Sequence, residues 1–542
     1  MPVNAQCVPF HQIPHTSHLF LDYLSYLPAV REFFPRSPNF DDWVKQEAGL
    51  VSYSTARREK VSAVLEQQNG EWDASGKTLE NIERFRRGAH AIVTGQQVGL
   101  FGGPLFSIFK ALSAVKLAAQ ATSAGVDCVP LFWLATEDHD LAEVNHVSLF
   151  SSEGVPEKIS ISSQGTLDAP VGTITFGTEI EDAVEQATVL LGDSEVTTWL
   201  RESYRPGGTL GSGFARLFAR LFAEWGVILL DPADKEFHLL VQPLFRSAIE
   251  KAPELDQALL ARGKALENAG YHQQVKVTAA TTLLFEVNHG ARMVVRRRSN
   301  GVNGGEFQVG QEKLSKQQLL ERIEQAPENF NPNVLFRPVV QDFLLPTVAY
   351  IGGAAEVAYF AQVAVVYEKL LGRVTPVLPR FSGTLLEPKA ERVLTRYQLG
   401  FADLFEGPER VREMIAARSL PDDLQARFAE ARSEVERSLA ALRGSVEKLD
   451  STLVRAADRA AARMSYQLHR LQGQAGRAAA LRNNVIDRHT DTVCNALYPH
   501  KTLQEREIGG VSFLARYGAG LLETLYQAIR TDCHDHQLIP VQ

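Results

Sequence analysis

The chain has 542 residues, too many for one ordinary domain, and its 45% hydrophobic and 22% charged side chains are the balance of a globular protein with a full-sized core. A formal net charge of −8 excludes a global attraction to nucleic acid or to acidic membranes, and no apolar run reaches the roughly 18 residues that span a bilayer. The opening MPVNAQCVPFHQIPH lacks the basic-then-apolar order of a secretory signal, so a cytoplasmic location and small-molecule chemistry are expected.

Short apolar runs bounded by turn residues read as buried strands, and helical patterns follow several of them. AIVT at Ala91–Thr94 is the first such run, with a helix expected over Leu105–Ala121. Between them lies VTGQQVGLFGGPLFSIFK, a strand end, a loop with Gly95, Gly99, Gly102 and Gly103, and Pro104 at the expected helix start. Glycines let a backbone approach a ligand, and a helix N-terminus offers unpaired N–H groups to an anion. Thr94, Gly95, Gln96, Gln97, Phe101, Gly102, Gly103 and Lys110 are therefore candidate ligand contacts, against the plain alternative of a glycine-rich turn. The segment is neither a GxGxxG fingerprint nor a P-loop.

CVPLFWL at Cys128–Leu134 is the second strand, and ATEDHD follows it. Glu137, Asp138, His139 and Asp140 should emerge at the same sheet edge, where they would orient an amine or relay a proton, or merely cap a helix. Glu157–Phe176 alternates like a small antiparallel hairpin, and Thr281–Val309 does the same around a turn at Gly301–Gly305; both read as insertions. GVILLD at Gly226–Asp231, TVAYI at Thr347–Ile351 and VTPVL at Val374–Leu378 complete the strands. After TVAYI, Glu356 falls in the first turn of another helix, over Val357–Leu371. After VTPVL, Arg380, Ser382 and Lys389 form a candidate phosphate-contacting loop. Strand–helix alternation of this kind predicts an α/β fold with a parallel sheet.

After Pro421, Leu424, Phe428, Ala431, Val435, Leu439, Leu442, Val446, Leu449 and Leu453 recur at three- and four-residue steps, a heptad seam. The turn of a helical hairpin falls either at Asp450 or Ser451 or at Gly473–Gly476. Arg455, Arg459 and Arg463 stack on one helix face, either pairing with Glu430, Glu434 or Glu436 or meeting a nucleotide phosphate. Cys7, Cys128, Cys494 and Cys533 are scattered and carry no CxxC pair, so reduced thiols and no structural metal are expected.

TGQQVGLFGGPLFSIFK, then FWLATEDHD, then LQER at Leu503–Arg506 resemble the bacillithiol biosynthesis cysteine-adding enzymes, in an order that covers nearly the whole chain. The resemblance implies a Rossmann-like core related to class I aminoacyl-tRNA synthetases, connecting insertions and a dimerising coiled coil. It places Thr94–Gly103 where such synthetases carry a first nucleotide signature, although the two histidines are missing here. Phe106–Ser107 stands where the family reads Tyr-Thr, and Ala354–Ala355 where it reads Pro-Gly.

The expected organisation is core over 1–150, 201–250 and 336–400, connecting insertions over 151–200 and 251–335, a coiled-coil domain over 401–497, and a C-terminal segment over 498–542 packing back on the core. The implied activity is ligation of cysteine to glucosaminyl-malate, with ATP or ADP as nucleotide and Mg2+ as its counter-ion. In that scheme Asp138, His139 and Gln97 are catalytic, and the partners are the two substrates and a second copy of the chain. A metabolite-binding assembly protein and a metal-dependent phosphotransferase or hydrolase are the alternatives.

Overall fold

A computed structural model describes residues 6–162, 169–288, 290–298, 306–420, 422–480 and 484–542. The chain divides into a unit of residues 1–383 with 505–539 and a unit of residues 384–504 with 540–542.

The first unit is built on five parallel strands: β1 (His90–Gln96), β2 (Cys128–Leu134), β3 (Ile228–Leu230), β4 (Thr347–Gly352) and β5 (Val377–Pro379). Their order across the sheet is β5-β4-β1-β2-β3. β1 and β2 pair in unbroken register from His90 opposite Cys128 to Gln96 opposite Leu134. All seven side chains of β2 are buried, which is why its sequence is a continuous apolar run and not an alternating one. Helix α1 (Phe106–Ser123) follows β1, and helix α2 (Ala354–Leu371) follows β4. The chain moves outward from β1 through β2 to β3 and then returns to the other side of β1 for β4. That reversal opens a crevice between the carboxyl ends of β1 and β4, where open α/β sheets bind ligands.

Both insertions differ from the expected hairpins. The first pairs His146–Phe150 with Pro156–Ser160, displaced toward the N-terminus from Glu157–Phe176. Val171–Thr173 is a short 3-10 turn there, and residues 163–168 lie outside the described ones. Three helices follow, Glu179–Leu191, Glu195–Ser203 and Leu210–Leu221. The second insertion is a five-stranded antiparallel sheet running from Thr281–Asn288 to Phe330–Pro332, larger than the two-strand reading. Its late strand, Phe330–Pro332, is only three residues long and pairs back on Thr281–Asn288, so no local alternation marks it. The turn expected at Gly301–Gly305 lies outside the described residues.

In the second unit α3 (Asp422–Leu449) and α4 (Val454–Ala480) pack on each other as a hairpin. Its turn is at Asp450, whose carboxylate accepts the Thr452 N–H at 2.8 Å. Arg443 pairs with Asp458 at 2.8 Å and Arg432 meets His469 at 3.2 Å; each pair is equidistant from that turn, so the two helices run antiparallel. The alternative turn at Gly473–Gly476 falls inside α4. A Cβ on Gly476 would lie 2.2 Å from the Ala416 carbonyl oxygen, so this glycine serves a close helix–helix approach instead of a break. Arg459 and Arg463 have no carboxylate partner among the described residues, so the expected pairing with Glu430, Glu434 or Glu436 is not made. Among the described residues no helix is long and apolar enough to cross a membrane.

Candidate functional site

A cleft of about 570 Å³ opens where β1, β2 and β4 end. Gly95, Gln96, Gln97, Lys110, Glu137, Asp138, Glu356 and Arg380 all line it, so one crevice gathers candidates from four separate motifs.

Lys110 lies one turn into α1 and is 2% exposed. Its ammonium donates to the Gly95 carbonyl at 2.7 Å and to Gln96 Oε1 at 2.9 Å, and pairs with Glu356 Oε2 at 2.5 Å. Glu356 also accepts from Tyr350 Oη at 2.5 Å and from the Gly353 N–H at 2.8 Å. Burial alone would push its carboxyl up, but the Lys110 ammonium and these donors outweigh it and hold it below its ordinary value. Arg337 donates to Tyr350 Oη at 3.3 Å and Tyr359 Oη at 3.0 Å, extending the chain of bonds along the cleft wall. The floor of the switch point is thus a fixed polar network, with the ends of β1 and β4 joined through α1 and α2.

The acidic cluster divides by role. Asp138 accepts from Gln97 Nε2 at 2.7 Å and from the His139 N–H at 2.7 Å. His139 Nδ1 lies 3.1 Å from the Arg292 guanidinium and 3.3 Å from Asp138 Oδ1, between a donor and an acceptor. His139 stands beside the cleft, with its Nδ1 engaged by these two side chains. Glu137 is 7% exposed, and its Oε1 takes bonds from Asn331 Nδ2 and from His238 Nε2, the latter at 3.1 Å. His238 faces the Pro327 carbonyl through Nδ1 at 3.1 Å, so both ring nitrogens look at acceptors. Burial opposes a charge on this ring, yet Glu137 and Pro327 outweigh it and raise its pKa.

Several candidates fall outside the cleft. Thr94 is buried in the sheet, its hydroxyl donating to the Ile351 carbonyl at 2.9 Å. Phe101 packs edge-on against Tyr204, and the Gly102 N–H donates to Tyr204 Oη at 3.1 Å. The Gly103 N–H goes to the Leu100 carbonyl at 3.0 Å and the Leu105 N–H to the Ile508 carbonyl at 2.8 Å. These amides of the Gly99–Gly103 loop and helix start are engaged by the protein itself, so the expected anion cradle is a packed turn. Helix α1 also begins at Phe106, two residues past Pro104.

Arg380 reaches the cleft, but Glu505 binds it through two oxygens, at 3.0 and 2.5 Å. Ser382 lies behind it, donating to Glu505 Oε1 at 2.9 Å and meeting His536 Nδ1 at 2.8 Å. Burial would raise the Glu505 carboxyl, but Arg380 and its other donors bring it down to about 2. Arg380, Ser382 and Glu505 therefore form a buried charge-neutral cluster, not an open phosphate loop. Lys389, Arg459 and Arg463 belong to the second unit.

Sequence reasoning passed over Arg292, Arg337, Arg506, His238 and Asn331. Arg292 sits in the alternating run RMVVRRR and Arg337 just before the helix-opening Pro338, neither of which signals a cleft. Arg506 lies in LQER, quoted for resemblance but not for chemistry; among the described residues its guanidinium has no hydrogen-bond partner. A second hollow of about 370 Å³ adjoins the cleft and shares Gln96, Gln97, Phe106, Glu143 and Arg506 with it.

Residues 3–381 match the family model described as bacillithiol biosynthesis BshC, N-terminal Rossmann-like domain, and residues 383–541 match the BshC C-terminal coiled-coil domain. Three similar proteins carry the name "Putative cysteine ligase BshC". The one from Koribacter versatilis (strain Ellin345) is 48% identical over 99% of each chain. That from Solibacter usitatus (strain Ellin6076) is 36% identical over 99% of this chain and 100% of its own. That from Salinibacter ruber (strain DSM 13855 / M31) is 33% identical over 96% of each chain. With both domain models and full-length relatives in agreement, the chain belongs to the bacillithiol biosynthesis BshC family.

Proposed function

We propose that this chain is a ligase that joins the carboxyl of cysteine to the amine of glucosaminyl-malate, with ATP, accompanied by Mg2+, activating the carboxyl. A carboxylate is a poor electrophile at neutral pH, so amide formation needs a phosphate or adenylate leaving group. The observation that carries the reading is the composition of the cleft. Lys110, Arg292, Arg337, Arg380 and Arg506 line it together with Glu137 and Asp138, and a second hollow opens off it. Two substrates that must meet are served by two adjoining spaces. Arg506, which lines both spaces and makes no hydrogen bond among the described residues although the charges of Glu505 and Glu356 act on it, suits a substrate carboxylate or phosphate. Glu137, held at one oxygen by His238 and Asn331, is the group we assign to the attacking amine. Asp138 and Gln97 orient the substrates at the shared wall, with His139 positioning Arg292. Lys389, Arg459 and Arg463 are proposed nucleotide-phosphate contacts of the second unit.

Purified full-length protein supplied with cysteine, glucosaminyl-malate and MgATP is expected to produce bacillithiol, read by mass spectrometry, with nucleotide consumed in equal amount. Release of ADP would identify a phosphate intermediate and AMP an adenylate. Absence of product with authentic substrates overturns the ligase reading, and equal turnover without nucleotide overturns the ATP part alone.

A further inference from the structure

Of the four cysteines, Cys128 and Cys494 are buried, while Cys7 and Cys533 are partly exposed and adjacent. Cys7 lies on the strand Gln6–Val8, which pairs antiparallel with His536–Pro540, Gln6 opposite Leu538 and Val8 opposite His536. Cys533 lies in the turn that leads into the second of these strands. The two sulfurs are 3.2 Å apart although 526 positions separate them in sequence. Other contacts hold the turn against the N-terminal segment: the Phe10 N–H donates to Asp535 Oδ1 at 3.4 Å, and the Phe10 ring meets His536 edge-on. The thiols are thus kept together by a strand pairing and a turn that neither of them creates. A disulfide needs its sulfurs at about 2.0 Å, a short further approach at a partly exposed edge.

We propose that Cys7 and Cys533 form a reversible internal disulfide by exchange with low-molecular-weight disulfides. Burial, and the hydrogen bond shared with Cys7, push the Cys533 thiol up to about 11, which disfavours Cys533 as the first attacking thiolate and assigns it the resolving step. The Cys7 thiolate attacks one sulfur of the small disulfide, breaking its S–S bond, releasing one small thiol and leaving a mixed disulfide on Cys7. Cys533 then attacks Cys7 Sγ, giving its proton to the second small thiol as that departs. Two protein thiols are oxidised to one disulfide, and one small disulfide is reduced to two thiols. The bond fastens the N-terminal strand to the segment carrying His536, which contacts Ser382 beside the Arg380–Glu505 pair. The state of the small-thiol pool is thereby recorded in the covalent structure of the chain.

The test is to equilibrate the full-length protein with glutathione disulfide, unfold it in an alkylating agent and count modified thiols by intact mass. Alkylatable cysteines should fall from four to two with no glutathione adduct on the chain, and an unreduced digest should contain the peptide joining Cys7 to Cys533. Dithiothreitol should restore all four. In the Cys7→Ser protein no internal bond should form. The proposal is overturned if the wild type keeps four free thiols, if it carries glutathione in place of the internal bond, or if the Cys7→Ser chain still loses two thiols without an adduct.

Discussion

Glu137 and His238 lie far apart in sequence, and their meeting sets a titration that can be measured. The raised pKa of His238 means that the folded chain holds this proton more tightly than the unfolded chain, whose histidine titrates near 6.5. The stabilisation is therefore fully present below that unfolded value and is lost as pH rises through the higher folded value. We expect urea titrations of wild type and His238→Gln to show a stability gap that is larger at about pH 5.5 than at about pH 9. A gap that does not change with pH would mean that folding leaves the His238 pKa where it is in the unfolded chain, and a gap that is smaller at the lower pH would mean that the fold holds the ring neutral. Nothing in the local sequence announces this pair. Glu137 was legible as the first carboxylate after a buried strand, whereas His238 is a lone histidine on a helix (Lys235–Glu250) and acquires its role only through the sheet order that brings β3 beside β2.

Elements were more legible than their details because hydrophobic runs report burial directly, while turns report only that the chain must bend. β1, β2 and β4 stand where their apolar runs put them, and TGQQ and YIGG fall at the carboxyl ends of neighbouring strands. The glycines after β1 carried the opposite ambiguity, since the same residues suit a ligand-cradling loop and a tight packed turn. Burial decides it: Leu100 and Phe101 are both 0% exposed, so the loop turns inward under the helix Leu210–Leu221. Gly103 sits at φ 68° and ψ −165°, a combination that only glycine adopts readily. A Cβ there would meet nothing nearer than Ser107 Oγ at 3.5 Å, so the penalty of substitution is in the backbone and not in a clash. Gly103→Ala and Gly103→Ser should each lower unfolding free energy by roughly 1–3 kcal/mol, whatever their effect on turnover. Denaturant midpoints equal to wild type in both would show that the turn is not held in this conformation.

The heptad seam is regular enough to fix the hairpin's helices, yet one hairpin does not cover all of it. Leu442 is 55% exposed, Leu449 82%, Met464 49% and Leu471 53%, on a pair of helices otherwise rich in arginine and glutamate. Isolated surface leucines need no explanation, but apolar residues left open at seam spacing along both helices of one hairpin do. A second copy of the same hairpin carries the same unfilled seam, and pairing of identical surfaces gives a closed twofold dimer without requiring any other partner. Burying these side chains removes apolar area from water at about 25 cal/mol per Å², and each Leu buried in full contributes roughly 1.5–3 kcal/mol. The full chain should therefore sediment as a dimer at micromolar concentration. Leu442→Glu with Leu449→Glu places two charges in the seam, where an unpaired charge is costly, and should shift the protein to monomer. Because α3 and α4 belong to a unit separate from the parallel sheet, the variant's circular dichroism should retain the signal of the α/β core. A wild type that sediments as a monomer at every accessible concentration would leave the exposed seam without this occupant.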